Sequence, residues 1–246
     1  MPRHVYSKWT KTNAIRKHAA IDAHVPDTRR MTRTTLFNKL KRYKMVYVKP
    51  DIGTFGNGVM RVEHKSDVYK FQKGEKIRSF ESYEDMYKSI LRHTGGKRYL
   101  VQKGIHLLKY RGGKFDLRIM VQFSADRKRK WETTGIIGRV AAKNKIVTNF
   151  HNGGRIVSAQ RLLTPYTKDI KRSLQSLAKL GVKVGKAMQS AFPGVYVVGL
   201  DVAMDESLHP WILEVNTSPD PYIFKKHPDP QVFKTIMRYA RKYPKK

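Results

Sequence analysis

Two apolar runs in the last third of the chain, Val195–Met204 and Trp211–Asn216, each carry one carboxylate inside a strand-like pattern and are joined only by DESLHP. So short and polar a connection predicts an antiparallel hairpin. If it closes symmetrically, Asp201 falls opposite or nearly opposite Glu214. Asn216 lies two residues further on and shares the face of Glu214. Like charges facing each other destabilise a sheet, so a pair kept beside a carboxamide points to a hard cation bound through oxygen. Mg²⁺ suits such a set, because it takes one or two carboxylates and completes its shell with water and phosphate oxygens. Two unrelated acids beside a turn would explain the pair if the hairpin stood alone.

It is accompanied by a second pattern nearer the start. Met45-Val46-Tyr47-Val48 reads as a buried strand ending at Lys49-Pro50, and DIGTFGNGVMRVE then reads as a glycine-rich turn entering another strand. Gly53, Gly56 and Gly58 would let backbone N–H groups approach phosphate oxygens while the Lys49 ammonium neutralises them. A glycine-rich hairpin turn alone is weak evidence for phosphate. The order is more telling. A Walker loop needs its lysine after the glycines and before a helix, and a protein kinase places its glycines before the strand lysine; here lysine comes first, glycines second and a strand third.

Other elements follow from periodicity. Residues 1–45 read as helical and basic, 82–93 as a helix, and 99–102, 115–123, 131–140 and 146–150 as strands; an amphipathic helix spans about 165–191, with a bend expected at Gly181 and Gly185. Asp116 and Arg118 share one face of their strand, where a guanidinium could clamp a phosphoryl group or simply form a salt bridge. Arg139 and the polar run 149–155 add donors. Within that run, His151 reads as a hydrogen-bonding loop residue ahead of a base or a metal ligand.

Composition removes several classes of function. The 246 residues are 40% hydrophobic and 11% aromatic, enough for a real core, so the basic charge sits on a folded body. With no cysteine, thiolate catalysis, disulfides and cysteine-bound zinc are excluded, and a reducing cytoplasmic setting is expected. Neither a secretory leader nor a transmembrane run of about 18 apolar residues is visible. The net charge of +32, from 51 Lys and Arg against 19 Asp and Glu, calls for a polyanionic partner: an acidic peptide, an acidic polymer, an anionic membrane or non-specifically bound nucleic acid. No nucleic-acid-binding module is readable, which favours the acidic peptide or polymer.

VYVKP with IGTFGNG, YLVQKGI, FDLRIMV, GRVA with NFHNGG, VGLDVAMD and WILEVNTSP, in this order, resemble the successive motifs of an ATP-grasp ligase. The resemblance covers residues 45 to 225 and, with KWTK and VPDT near the start, is closest to the YheC/YheD group of endospore-coat-associated proteins. It implies an α+β ATP-grasp fold: a basic helical segment over 1–45, a first lobe over 46–108 and a second lobe with a metal site and a basic helix over 109–246. It further implies ATP and Mg²⁺ as cofactors. Lys49 would touch the α- and β-phosphates, and the Gly53–Gly58 loop with Thr54 would fold over the triphosphate. Gln102, Lys103 and Ile105 would form the adenine hinge, with Leu213 as an apolar contact. Asp201, Glu214 and Asn216 would hold the metal, Arg118 the γ-phosphate, and Arg139 and Asn149 the acyl-phosphate region. The implied reaction is ADP-forming ligation of a carboxylate to an amine, with spore association.

Such ligases usually carry a further domain ahead of the nucleotide lobes, where this chain has about 45 mostly basic residues. The acceptor site is then expected to be completed by a partner chain, or to take a large acidic molecule directly. Two other readings remain open at this stage: an ATP-grasp phosphotransferase, and a non-enzymatic polyanion-binding coat or scaffold protein.

Overall fold

The computed structural model describes residues 3–124, 130–142, 145–148 and 153–243. Two antiparallel sheets, each with its own core, make up the fold. In the first, β1 (Thr28–Arg30), β2 (Met45–Pro50), β3 (Met60–Lys65), β4 (Val68–Lys73), β5 (Lys76–Phe80) and β6 (Tyr99–Lys103) take the order β1-β6-β2-β3-β4-β5. Helices α3 (Arg33–Tyr43) and α4 (Tyr83–Thr94) pack on it, burying Leu36, Leu40, Val46, Val48, Phe71, Met86 and Ile90. Thr32 starts α3 through a reciprocal capping box with Thr35, and Lys44 ends it with a left-handed φ of 61°.

The second sheet runs β10 (Arg155–Ser158), β9 (Trp131–Val140), β8 (Gly113–Phe123), β11 (Val197–Met204) and β12 (Pro210–Asn216), with the two-residue β7 (Lys109–Tyr110) hairpinned onto β8. The period of two along β8 decides what each face does. Phe115, Leu117, Ile119 and Val121 pack into the core under the long helix α6 (Ile170–Ala191), whereas Met120 packs with Phe224 and Ile236 on the other side. Phe224 belongs to a 3₁₀ turn (Tyr222–Lys226) and Ile236 to the last helix, α7 (Pro230–Ala240). Asp116 and Arg118 alternate with the α6-facing residues and so look away from that helix, into the space between the sheets.

Residues 3–43 divide between the two cores. Helices α1 (Lys8–Arg16) and α2 (Ala19–Asp22) add Ala14, Ile15 and Ile21 to the core of the second sheet, while β1 and α3 join the first. The expectation of an all-helical start thus fails at Thr28–Arg30, a strand paired with Leu100–Gln102.

Three further expectations are corrected. Residues 146–148 form no strand: Thr148 turns its hydroxyl to Asp116 and the Ile146 carbonyl accepts from Tyr47, so the segment crosses between the sheets unpaired. The long helix begins at Ile170, capped by the Asp169 carboxylate, and is preceded by a separate short helix, α5 (Ala159–Leu163). Gly181 and Gly185 sit in one continuous helix and serve close packing: a Cβ on Gly185 would lie 2.5 Å from the Trp131 ring, and one on Gly181 2.9 Å from Val121. Gly185→Ala is therefore expected to destabilise the fold by about 1–3 kcal/mol through overpacking, although alanine favours an isolated helix by about 1 kcal/mol. Denaturant unfolding decides the sign, and a more stable variant would show that the ring yields freely.

Candidate active site

Between the two sheets lies a cleft of about 450 Å³. Its floor comes from the second sheet. Asp201 on β11 pairs in register with both Arg118 on β8 and Glu214 on β12, as the hairpin reading expects. A bulge at Leu213 follows at once, since Asp201 faces Glu214 but Val202 faces Ile212. The extra residue turns its carbonyl into the cleft, where the Lys49 ammonium donates to it at 3.2 Å and the Gln102 amide at 3.5 Å. The bulge therefore couples the β11–β12 hairpin to the strand that carries Lys49.

The buried charges form one network. Arg118 Nε donates to Asp201 Oδ1 at 2.7 Å, and Arg139 reaches Asp201 Oδ2 at 3.1 Å. Arg139 also forks onto Asp116 at 2.8 and 2.6 Å, and Thr148 donates to the same carboxylate at 2.6 Å. Burial would push the Asp201 carboxyl up, but Arg118 and then Arg139 overcome it and hold the group well below the ordinary carboxylate range. Burial likewise brings Lys49 down from 10.5 to about 8, with Glu214 and Asp201 opposing the drop and Lys8 adding to it.

Most of the residues singled out from the sequence converge here. Lys49, Gly53, Thr54, Gly56, Gln102, Lys103, Ile105, Arg118, Arg139, Asp201, Leu213, Glu214 and Asn216 all line the cleft. Gly58 does not: with φ of +76° it turns away, its Cβ direction blocked 2.8 Å off by the Tyr99 hydroxyl, and it lines an adjoining cavity of about 470 Å³. Asn149 and His151 lie outside the described residues. The Lys103 ammonium rests over the Trp211 ring at 4.8 Å from its centroid, which holds the end of β6 against the second sheet.

Among the described residues no group of three or more His, Cys, Asp or Glu is gathered for a metal. Two carboxylates with a carboxamide, all oxygen donors, nevertheless fit a hard divalent ion that keeps several waters. Arg118 and Arg139 are the cations now paired with Asp201, and Lys8 is the one paired with Glu214.

Two parts of the site escaped the sequence reading. Ser218 to Lys226 form a wall beyond β12, signalled only by the turn-rich NTSPD run. The other is α1. Lys8 is 8% exposed; its ammonium donates to the Gly53 carbonyl at 2.6 Å and stands 3.5 Å from Glu214. Asp51, at the root of the glycine loop, accepts from Ser7 Oγ and the Trp9 N–H and so fastens the start of α1 to that loop. The detectable signal was a helix whose buried stripe, Lys8, Lys11, Ala14 and Ile15, contains two lysines.

Comparison with known proteins bears on the family and the fold. The model of the family described as YheC/D-like ATP-grasp matches residues 2–245. Endospore coat-associated protein YheD of Bacillus subtilis (strain 168) is 23% identical over 231 residues, which is 91% of this chain and 50% of that one. YheC of the same strain is 21% identical over 225 residues, 86% of this chain and 59% of that one. The chain thus spans about half the length of the curated relatives it matches. Among solved structures, the D-cycloserine synthetase DcsG superposes with a TM-score of 0.59 at 12% identity, covering 97% of this chain and 70% of that one. N5-carboxyaminoimidazole synthase from Aspergillus clavatus, in complex with ADP and its ribonucleotide, gives 0.60 at 12% identity, covering 99% and 53%. The VanG D-Ala:D-Ser ligase from Enterococcus faecalis gives 0.58 at 12% identity, covering 95% and 61%. The likeness of the solved structures is one of fold. The family match spans nearly the whole chain, and the chain belongs to the YheC/D-like ATP-grasp family.

Proposed function

We propose that this chain binds Mg-ATP in the cleft and activates a carboxylate as an acyl phosphate for ligation to an amine. The observation that carries the reading is the meeting, in one cleft roofed by the glycine loop, of Lys49, Arg118 and the Asp201, Glu214 and Asn216 set. Lys49 would neutralise the inner phosphates, and Leu213, Ile105 and the hinge strand would take the base. A carboxylate oxygen of the substrate attacks the γ-phosphorus, the bond to the β–γ bridging oxygen breaks, and ADP leaves. The amine then attacks the acyl carbon, the carbon–oxygen bond to phosphate breaks, and the amine loses a proton as phosphate departs. Arg118 would meet charge developing on the transferring group, and the loop from Gly53 to Gly56 would keep water from the intermediate. A divalent ion on Asp201, Glu214 and Asn216 would add charge neutralisation at the phosphate oxygens.

The net charge of +32 supports an acidic peptide or polymer as the carboxylate substrate. The names of the curated relatives support a place in the spore coat. Those two observations also favour a second reading, a coat or scaffold protein that binds polyanions without turnover.

Nucleotide binding is tested first. Mg-ATP at about 100 times its dissociation constant should stabilise the fold by about 2.7 kcal/mol. Proton linkage adds a signature. Lys49 has a folded value near 8 against 10.5 ordinarily, so the unfolded chain holds the extra proton between those values and the free protein gains stability as pH rises through that window. Phosphate makes the opposite demand, because only the ammonium attracts it. Above pH 8, Mg-ATP binding should therefore take up a proton, read as a binding heat that depends on the buffer. Lys49→Met should shrink that uptake and weaken binding about tenfold or more. Binding that is unaffected by the substitution would remove Lys49 from the phosphate site.

A further inference from the structure

The cavity of about 470 Å³ beside the cleft has no part in the proposed Mg-ATP contacts. It lies at the end of the first sheet where the glycine loop, the β4–β5 turn and the last turn of α4 come together, with Lys145, Ile146 and Val147 as a further wall. Lys73, Lys76, Arg78, His93 and Lys145 all line it, and none of its described lining residues is acidic. The hairpin register sets the cations side by side. Lys73 pairs with Lys76 and Phe71 with Arg78, so one face of β4–β5 carries three cations next to Phe71. Like charges directly opposed destabilise a sheet. Among the described residues no carboxylate forms an ion pair with Lys73, Lys76 or Arg78, and Glu75, the acid of the turn itself, is taken by Lys145 at 2.9 Å. Behind them Phe71 is 1% exposed and meets the His93 ring edge-on, 5.6 Å between centroids. Burial, then Lys73, Arg78 and Arg92, hold His93 toward its neutral form, as expected where cations gather without an anion.

Gly56, Asn57, Val59, Ile146 and Val147 line both this cavity and the cleft, so the two are neighbours across the glycine loop. A chain with carboxylates on successive residues can therefore present one to the cleft and others to the cavity. Lysine ammoniums are compact charges with freely turning donors, which suits carboxylates arriving at varied angles. Nucleic acid would need an exposed ring on which to stack its bases, and Phe71 is too deeply buried to serve. We propose that Lys73, Lys76 and Arg78 seat the acidic side chains that flank the reacting carboxylate of an acidic peptide, so that the cavity selects the substrate for the cleft beside it. That selective role rests on the ligase reading; the binding itself needs neither nucleotide nor metal.

Fluorescein-labelled hexaglutamate, titrated by anisotropy into the full chain without nucleotide in about 0.15 M salt, reads the seat directly. Joint Lys76→Glu and Arg78→Glu should weaken binding about tenfold or more. Joint Lys171→Glu and Arg172→Glu, exposed at the start of α6 and equal in charge change, should weaken it no more than about threefold. If the first double variant fails to fold, Lys76→Glu alone carries the test: it sets an opposite charge against Lys73, so it should keep the melting temperature and still weaken binding about fivefold or more. Equal losses in the two double variants would show only the general field of a chain of net charge +32, and would overturn the seat. No wild-type binding at about 1 mM would overturn it too. A mixed-sequence oligonucleotide of matched charge that loses more affinity than hexaglutamate in the cavity variant would overturn it in favour of nucleic acid. Failure of Mg-ATP to bind, with the cavity-dependent binding of hexaglutamate intact, would instead overturn the ligase reading and leave the seat standing.

Discussion

Arg118→Ala should lower ATP turnover by about 10²-fold or more while changing Mg-ATP affinity by no more than about threefold. Of its guanidinium, Nε is engaged with Asp201, and no described hydrogen bond uses either Nη group. Those groups remain to donate to a phosphoryl group in the cleft that Arg118 lines. Such donors matter most where negative charge grows in the transition state, in a site closed to water. Removing the side chain leaves Asp201 paired with Arg139, so the floor of the site keeps one of its two cations. Equal losses in turnover and affinity would assign Arg118 to ground-state binding. Unchanged turnover would take it out of the mechanism.

Arg139→Ala should instead act mainly on stability, costing about 3–5 kcal/mol. Arg139 and Asp116 are each 3% exposed, and the guanidinium forks across both carboxylate oxygens while its Nη2 also reaches Asp201. Truncation leaves Asp116 with the Thr148 hydroxyl alone, a buried charge without a counter-ion. Joint replacement of Asp116 by Asn and Arg139 by Met should recover much of the loss, because the cost lies in the orphaned partner more than in the missing pair. Denaturant midpoints of the two singles and the double provide the cycle. A single-variant loss under about 1 kcal/mol would show that water reaches Asp116.

The sequence made most of the second sheet legible because β8, β9, β11 and β12 each repeat a local pattern, whereas β10 and the two-residue β7 went unread. Strand β9 falls at Trp131–Val140 as its alternation indicates, and the six-residue connection set the Asp201–Glu214 register. The bulge at Leu213 was not legible: nothing in WILEVN marks which residue loses its partner, and the gain lies in distant contacts to Lys49 and Gln102. Residues 146–148 misled because Ile, Val and Thr favour strands, whereas their partners are a side chain of β8 and a tyrosine of β2. The β4–β5 hairpin was missed for the opposite reason. Its strands are mostly half-buried or exposed and polar on both faces, with Phe71 the one buried residue, so no period of two appears. The place of α1 depends on contacts across more than 200 residues, such as the Val5 N–H to Thr217, which local periodicity does not register.

The central claim is that the cleft makes an acyl phosphate. Hydroxylamine intercepts such a species whatever the natural amine is, so the direct measurement is ADP and hydroxamate formed from Mg-ATP with acidic peptides, polyglutamate or cell-wall fragments as the carboxylate. The account predicts ADP release that requires the carboxylate, with hydroxamate appearing in equal amount and both lost in Arg118→Ala. ADP accompanied by a stable phosphorylated product and no hydroxamate, or no ADP with any carboxylate while Mg-ATP is bound, would contradict it.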